Sequence, residues 1–226
     1  MKLLRFTTTA DQAQDQRVSL TNYVDRMKEE QEKIYYLVSD SEAAARQSPH
    51  LEVFEKRNIE VLLLTDRVDE WFMSFANEFD GKSLLVVTRG EIDLDEPVDD
   101  PNDAESNDSL VERIQGVLGD RVESVRRSRR LTDSPACIVL GEGDMGAQMR
   151  RLMEANRQEI PEAKPHFEFN ATHPLVTKLG EESDEDRFGA LVNVLFDQAT
   201  LAEGHPLTEP GDYVRRVNRL LVDLLE

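Results

Sequence analysis

Gly141, Gly143 and Gly146 in "CIVLGEGDMGAQM" (137–149) fall at the G-x-G-x-x-G spacing that cradles a dinucleotide pyrophosphate between a strand and a helix. A β-type run precedes them and a helical run follows. Glu168 lies about 20 residues on, where the ribose acceptor of such a site would stand. Three features argue against a nucleotide. Glu142 and Asp144 put negative charge where the pyrophosphate must sit. The stretch before Glu168, "IPEAKPHFEF", has two prolines and alternating polarity, unlike a central parallel strand. No further βαβ unit follows it. The loop therefore reads as a sharp strand-to-helix turn. A nucleotide-dependent oxidoreductase using Gly141–Gly146 is the enzyme-class alternative.

Other reactive residues do not assemble into a site. Arg126, Arg127, Arg129 and Arg130 form a basic stretch, but no aromatic residues interleave them and the chain carries a net charge of −19. They are expected to pair with acidic neighbours rather than with nucleic acid. His50, His166, His173 and His205 are scattered without ligand spacing, and the single cysteine, Cys137, sits in an apolar run. From Glu91 to Ser109 the chain has nine acidic residues, no basic one and two prolines, yet no calcium-loop register. No catalytic set, metal or cofactor is expected.

The elements alternate. "NYVDRMKEEQEK" reads as a helix with Ser19 or Thr21 as cap, then "IYYLV" (34–38) as a strand. "SEAAARQS" and "PHLEVFEKRN" are helical, "IEVLLL" (59–64) a strand, and "DRVDEWFMSFANEF" (66–79) a helix stopped by Gly81. "SLLVV" (83–87) is the next strand. Unbroken apolar strands between helices imply a small parallel sheet in an αβα domain. Beyond the acidic stretch come a helix "LVERIQGVLG", a strand pair from "RVESVRRSRRL" (121–131) and "PACIVL" (135–140), a strand "HFEFN" (166–170) and two closing helices. The fold class is α/β: a small parallel-sheet αβα domain, then an α+β domain ending in a helical hairpin. The expected boundaries are 1–95, an acidic linker at 96–108, and 109–226. No apolar run reaches 18 residues and no signal-peptide core is present, so a cytoplasmic protein is expected.

Several stretches resemble the heat-shock protein 90 family in its bacterial form. They are "SLTNYVDRMKEEQEKIYYLVSDS", "SPHLEVFEKRNIEVLLLTDRVDEW" and "RLTDSPACIVLGEGDMGAQMRRLM", with "FDQATLAEG" and "YVRRVNRLL" near the end. The resemblance implies the end of that family's middle domain followed by its C-terminal dimerisation domain. The expectation is thus a fragment of an ATP-dependent chaperone, without the ATP-binding domain or the catalytic arginine segment, and so not itself an enzyme. A Glu-Glu-Val-Asp tail is lacking, so tetratricopeptide-repeat co-chaperones are not expected. Other chaperones are further candidate partners.

Two surfaces follow. At 100° per residue, Met145, Met149, Leu152 and Met153 share an arc of about 100°, and methionine suits a face that must repack around many partners. The resemblance makes this the helix that touches unfolded client proteins, with Trp71 as an aromatic contact on the adjoining domain. In the closing helices, Phe188, Leu191, Leu195 and Phe196, then Val217, Leu220, Leu221 and Leu224, form stripes too long for one hairpin to bury. Two copies pairing as a four-helix bundle would cover them, giving a homodimer. A plain dimerisation scaffold, with the methionines as ordinary core, is the alternative without client binding.

Overall fold

The computed structural model describes residues 3–10, 17–92, 104–158, 163–223 and 225, without the side chains of 104–108 and 147. The chain forms two compact units, Met1–Ile92 with Glu142–Glu162, and Asp93–Gly141 with Ala163–Glu226.

In the first unit β1 (Thr7–Thr8) leads to α1 (Leu20–Asp25), which Ser19 caps by accepting the Asn22 N–H. β2 (Lys33–Val38), α2 (Glu42–Arg46), a 3₁₀ turn at Pro49–Leu51, α3 (Glu52–Lys56) and β3 (Leu62–Leu64) follow. α4 (Asp69–Met73), β4 (Glu78–Phe79) and β5 (Lys82–Val86) complete this part. The sheet order is β1-β3-β2-β5-β4. Its three inner strands are parallel, as the apolar runs predict, and β1 and β4 add antiparallel edges. Side chains alternate along β2. Ile34 and Tyr36 face Leu20, Tyr23 and Met73 of α1 and α4, while Tyr35 packs its ring 4.8 Å from Phe54 of α3. Helices therefore cover both faces.

Two helices are shorter than their sequence patterns suggest. α1 stops at Asp25, ahead of the polar run that leads into β2. α4 stops at Met73, and Gly81 is not its stop. Asp80 and Gly81 both take positive φ (51° and 75°) and make a two-residue hairpin between β4 and β5.

The second unit opens on α5 (Ala104–Leu118), which begins inside the stretch read as an acidic linker; residues 96–103 of that stretch lie outside the described ones. β6 (Ser124–Arg127) and β7 (Ala136–Val139) follow. Next in the chain is α6 (Ala147–Ala155), whose contacts place it with the first unit. The second unit resumes with β8 (His166–Phe169), α7 (Pro174–Glu181), α8 (Glu185–Ala202) and α9 (Pro210–Asp223). β6 and β7 do not pair with each other. β8 runs between them, parallel to β6 and antiparallel to β7, so the segment judged unlike a central strand is the central strand. The prolines precede it, and its polar position is satisfied by ion pairing. Phe167 and Phe169 face the helix layer with Ile114, Val176, Phe188 and Val192.

Candidate functional site

The glycine loop meets an anion, but the anion belongs to the protein. α6 has no side-chain cap of its own: Gly146 stands at its N-cap, with φ −72° and ψ 174°. The Gly146 N–H donates to Glu70 Oε1 at 2.6 Å, and the Met149 N–H donates to Oε2 at 2.8 Å. Arg89 donates to the same carboxylate, and Glu70 is only 8% exposed. One carboxylate thus satisfies two of the orphan N–H groups of a helix start and meets its positive dipole end. A Cβ at position 146 would lie 2.8 Å from the Glu70 carboxyl carbon. Glycine there leaves room for the carboxylate to approach the backbone, which a larger residue would displace. The position a phosphate would occupy is filled.

Two further bonds tie α6 to the end of β2: Gln148 Nε2 donates to the Ser39 carbonyl at 2.8 Å, and Arg151 pairs with Asp40 at 2.7 Å. α6 and α4 are in contact. The helices that carry Trp71 and the methionine arc are therefore brought together within one unit. Trp71 is 53% exposed, and its ring meets that of Phe75 edge-on, 5.2 Å between centroids. Val68 and Phe75 are also exposed and lie at i−3 and i+4 from Trp71, on its face. Met145, Met149 and Met153 are half-buried, and Leu152 is exposed. Glu70, Val68 and Phe75 were not singled out from the sequence. The spacing around Trp71 carried a signal for the two apolar residues. Nothing local marked Glu70, whose backbone partners at α6 lie 76 and 79 residues away.

A comparison with protein families matches the description "Hsp90 protein" over residues 1–226. The chain belongs to the Hsp90 family. That membership makes it a chaperone-family protein, from a family whose members are ATP-driven. It agrees with the resemblance carried by the three long segments.

In this Hsp90-family chain the closing hairpin divides by depth. Phe188 and Leu195 of α8 are enclosed in their own unit's core, so neither offers surface to a partner. Leu191 and Phe196 pack partly against that core. No residue of α9 is buried: Val217 and Leu220 are half-covered, and Val214, Leu221 and Val222 are more than half exposed. Leu224 lies outside the described residues.

The remaining sequence candidates are structural. Glu168, 3% exposed, accepts from Arg126 Nε at 3.0 Å, Arg130 Nε at 3.0 Å and Ser128 Oγ at 2.9 Å. Arg126 and Arg130 of the basic stretch thus pair with an acidic neighbour, and the suspected ribose acceptor is already occupied. Cys137 is buried beside Leu131 and Val139. Among the described residues no group of His, Cys, Asp and Glu is arranged to hold a metal ion, and no helix is long and apolar enough to cross a membrane.

Proposed function

We propose that this chain is the client-binding and self-associating part of a cytoplasmic Hsp90-family chaperone of the bacterial type, not the part that hydrolyses ATP. The supporting observation is the exposed ring pair of Trp71 on α4 and Phe75 just after it, with α4 in contact with a methionine-bearing α6 that the buried Glu70 anchors. Exposed aromatic groups and flexible, half-buried thioethers on two helices in contact suit many apolar segments of differing shape. Such contiguous apolar exposure, framed by charge, is what interaction sites use. An oxidoreductase reading is not favoured, since Glu70 occupies the α6 N-terminus. For the C-terminal part we propose a homodimer, with α9 and the uncovered side of α8 meeting their counterparts as a four-helix bundle. The domain boundaries expected at residues 95 and 109 remain part of this reading.

The test is delayed aggregation of a heat-unfolded protein by the purified chain, scored for the parent and for Trp71→Ser with Phe75→Ser. The expected outcome is protection by the parent and its loss in the double variant, with both equally folded by circular dichroism. Equal protection by the two would leave a scaffold without a client site at α4.

A further inference from the structure

Asp80-Gly81 is the only Asp-Gly or Asn-Gly pair in the sequence. It fills the two turn positions of the β4–β5 hairpin, both at positive φ. An aspartate followed by glycine carries a reaction within its own backbone. The glycine nitrogen attacks the aspartate Cγ, an N–Cγ bond forms and a Cγ–O bond breaks. The amide proton and the carboxyl OH leave together as water. A water molecule then opens the cyclic imide at either carbonyl. One opening restores aspartate, and the other gives isoaspartate, whose main chain runs through the β-carbon. Glycine favours ring closure because no side chain shields its nitrogen and its backbone is the freest to rotate.

The surroundings leave this pair open to that reaction. Both residues are exposed, and a Cβ at Gly81 would meet nothing within 4 Å. Neither the Asp80 side chain nor the Gly81 N–H has a hydrogen-bond partner among the described residues. Comparable positions are engaged. Asp40, which precedes Ser41, pairs with Arg151, and Asp133, which precedes Ser134, accepts from the Thr132 hydroxyl. Asn58 also has positive φ, but the branched Ile59 follows it and gives its N–H to the Phe54 carbonyl.

Ring closure needs rotation between Asp80 and Gly81, which a closed two-residue turn resists and an open one allows. β4 is two residues long, lies at the edge of the sheet and pairs through Glu78 with Ser83 and Phe79 with Lys82. Such short edge elements belong to the parts of a fold that open locally. Isoaspartate then adds a backbone atom to a loop whose length sets the strand register. The two cross-strand pairs cannot both re-form around it. Phe79, packed on the core of the first unit, and Lys82, which donates to the Gln31 carbonyl at 3.0 Å, lose their common frame.

We propose that Asp80-Gly81 is a self-modifying site, which converts to isoaspartate when the β4–β5 hairpin opens and by converting keeps it open. The partner this chemistry calls for is a carboxyl methyltransferase that recognises isoaspartate.

The experiment ages the purified chain, folded and in urea, and locates isoaspartate by enzymatic carboxyl methylation and electron-transfer fragmentation. In the folded chain isoaspartate should build up at residue 80 ahead of every other aspartate, and more slowly than in the unfolded chain. Asp80→Glu, which would need a larger ring, should lose the signal at that position. Asp80→Asn keeps the turn chemistry and expels ammonia more readily than water, so it should convert faster. The converted fraction should show faster hydrogen exchange over β4 and β5. A folded chain left unmodified at residue 80 while the unfolded chain is converted overturns the proposal. So does conversion spread evenly over the Asp-Ser pairs, and so does isoaspartate at residue 80 with exchange over β4 and β5 unchanged.

Discussion

Glu70 illustrates how one buried charge organises a site it does not itself expose. Its carboxylate accepts from two helix N–H groups and pairs with Arg89. Glu70→Gln keeps the shape but removes the charge that makes those bonds strong, a loss of about 1.5–3 kcal/mol by general experience. The expected outcome is faster amide exchange confined to α6 and its leading loop, read by hydrogen–deuterium exchange. Unchanged protection there would show that the remaining α6 contacts suffice. Tyr23 makes a second residue-scale prediction. Its hydroxyl donates to the Glu60 carbonyl and accepts from Gln31 and the Tyr35 N–H. Burial pushes its pKa from 10.0 to about 12. The folded phenol holds its proton more tightly than the unfolded one, so the stability is present in full below pH 10 and is lost as pH climbs from 10 toward 12. About 2–3 kcal/mol should disappear over that window. Urea unfolding of the parent and of Tyr23→Phe at pH 9 and pH 11.5 checks this, and the phenylalanine variant should show the smaller decline.

Helices and strands were legible in the sequence where pattern and local chemistry agreed. The apolar runs at 34–38, 59–64 and 83–87 gave parallel inner strands, and Ser19 announced the start of α1. What stayed hidden was decided by distant partners. β8 looked unfit for a central position because its stretch has two prolines and alternating polarity, yet the prolines precede the strand and Arg126 and Arg130 neutralise Glu168 from other elements. Gly81 was read as the stop of a helix over 66–79, whereas Asp80-Gly81 turns a hairpin between β4 and β5. The proposed client face was half legible: its methionine arc appears in the periodicity, whereas the anchoring of α6 to α4 needs coordinates. Two predictions belong at this scale. Exchanging Met145 and Met149 for serine should weaken client binding and change folding stability by about 1 kcal/mol or less, since neither side chain is enclosed. A loss of several kcal/mol in urea unfolding, with client binding intact, would mark them as core. Charged replacements of Leu220 and Leu221 on α9 should give a folded monomer by light scattering, because no residue of that helix is fully buried within its own chain.

For the molecule as a whole, a net charge of −19 sets the terms of every encounter. Two copies repel each other at low ionic strength, where the screening length is about 30 Å, and much less at physiological salt, where it is about 8 Å. An apolar self-association face should therefore tighten as salt rises from about 0.01 to 0.15 M. A dimer that weakened over that range would be held by opposite charges instead. The central claim, that unfolded proteins dock beside α4 and α6, has a built-in reporter, since Trp71 is the chain's single tryptophan and is half exposed. The most direct measurement is its fluorescence during titration with a permanently unfolded polypeptide that lacks tryptophan. The emission should move to shorter wavelength and saturate, and the Met145→Ser, Met149→Ser double variant should need a higher concentration to reach the same shift. Emission that stays fixed at concentrations where the chain already delays aggregation would place client binding elsewhere and contradict the account.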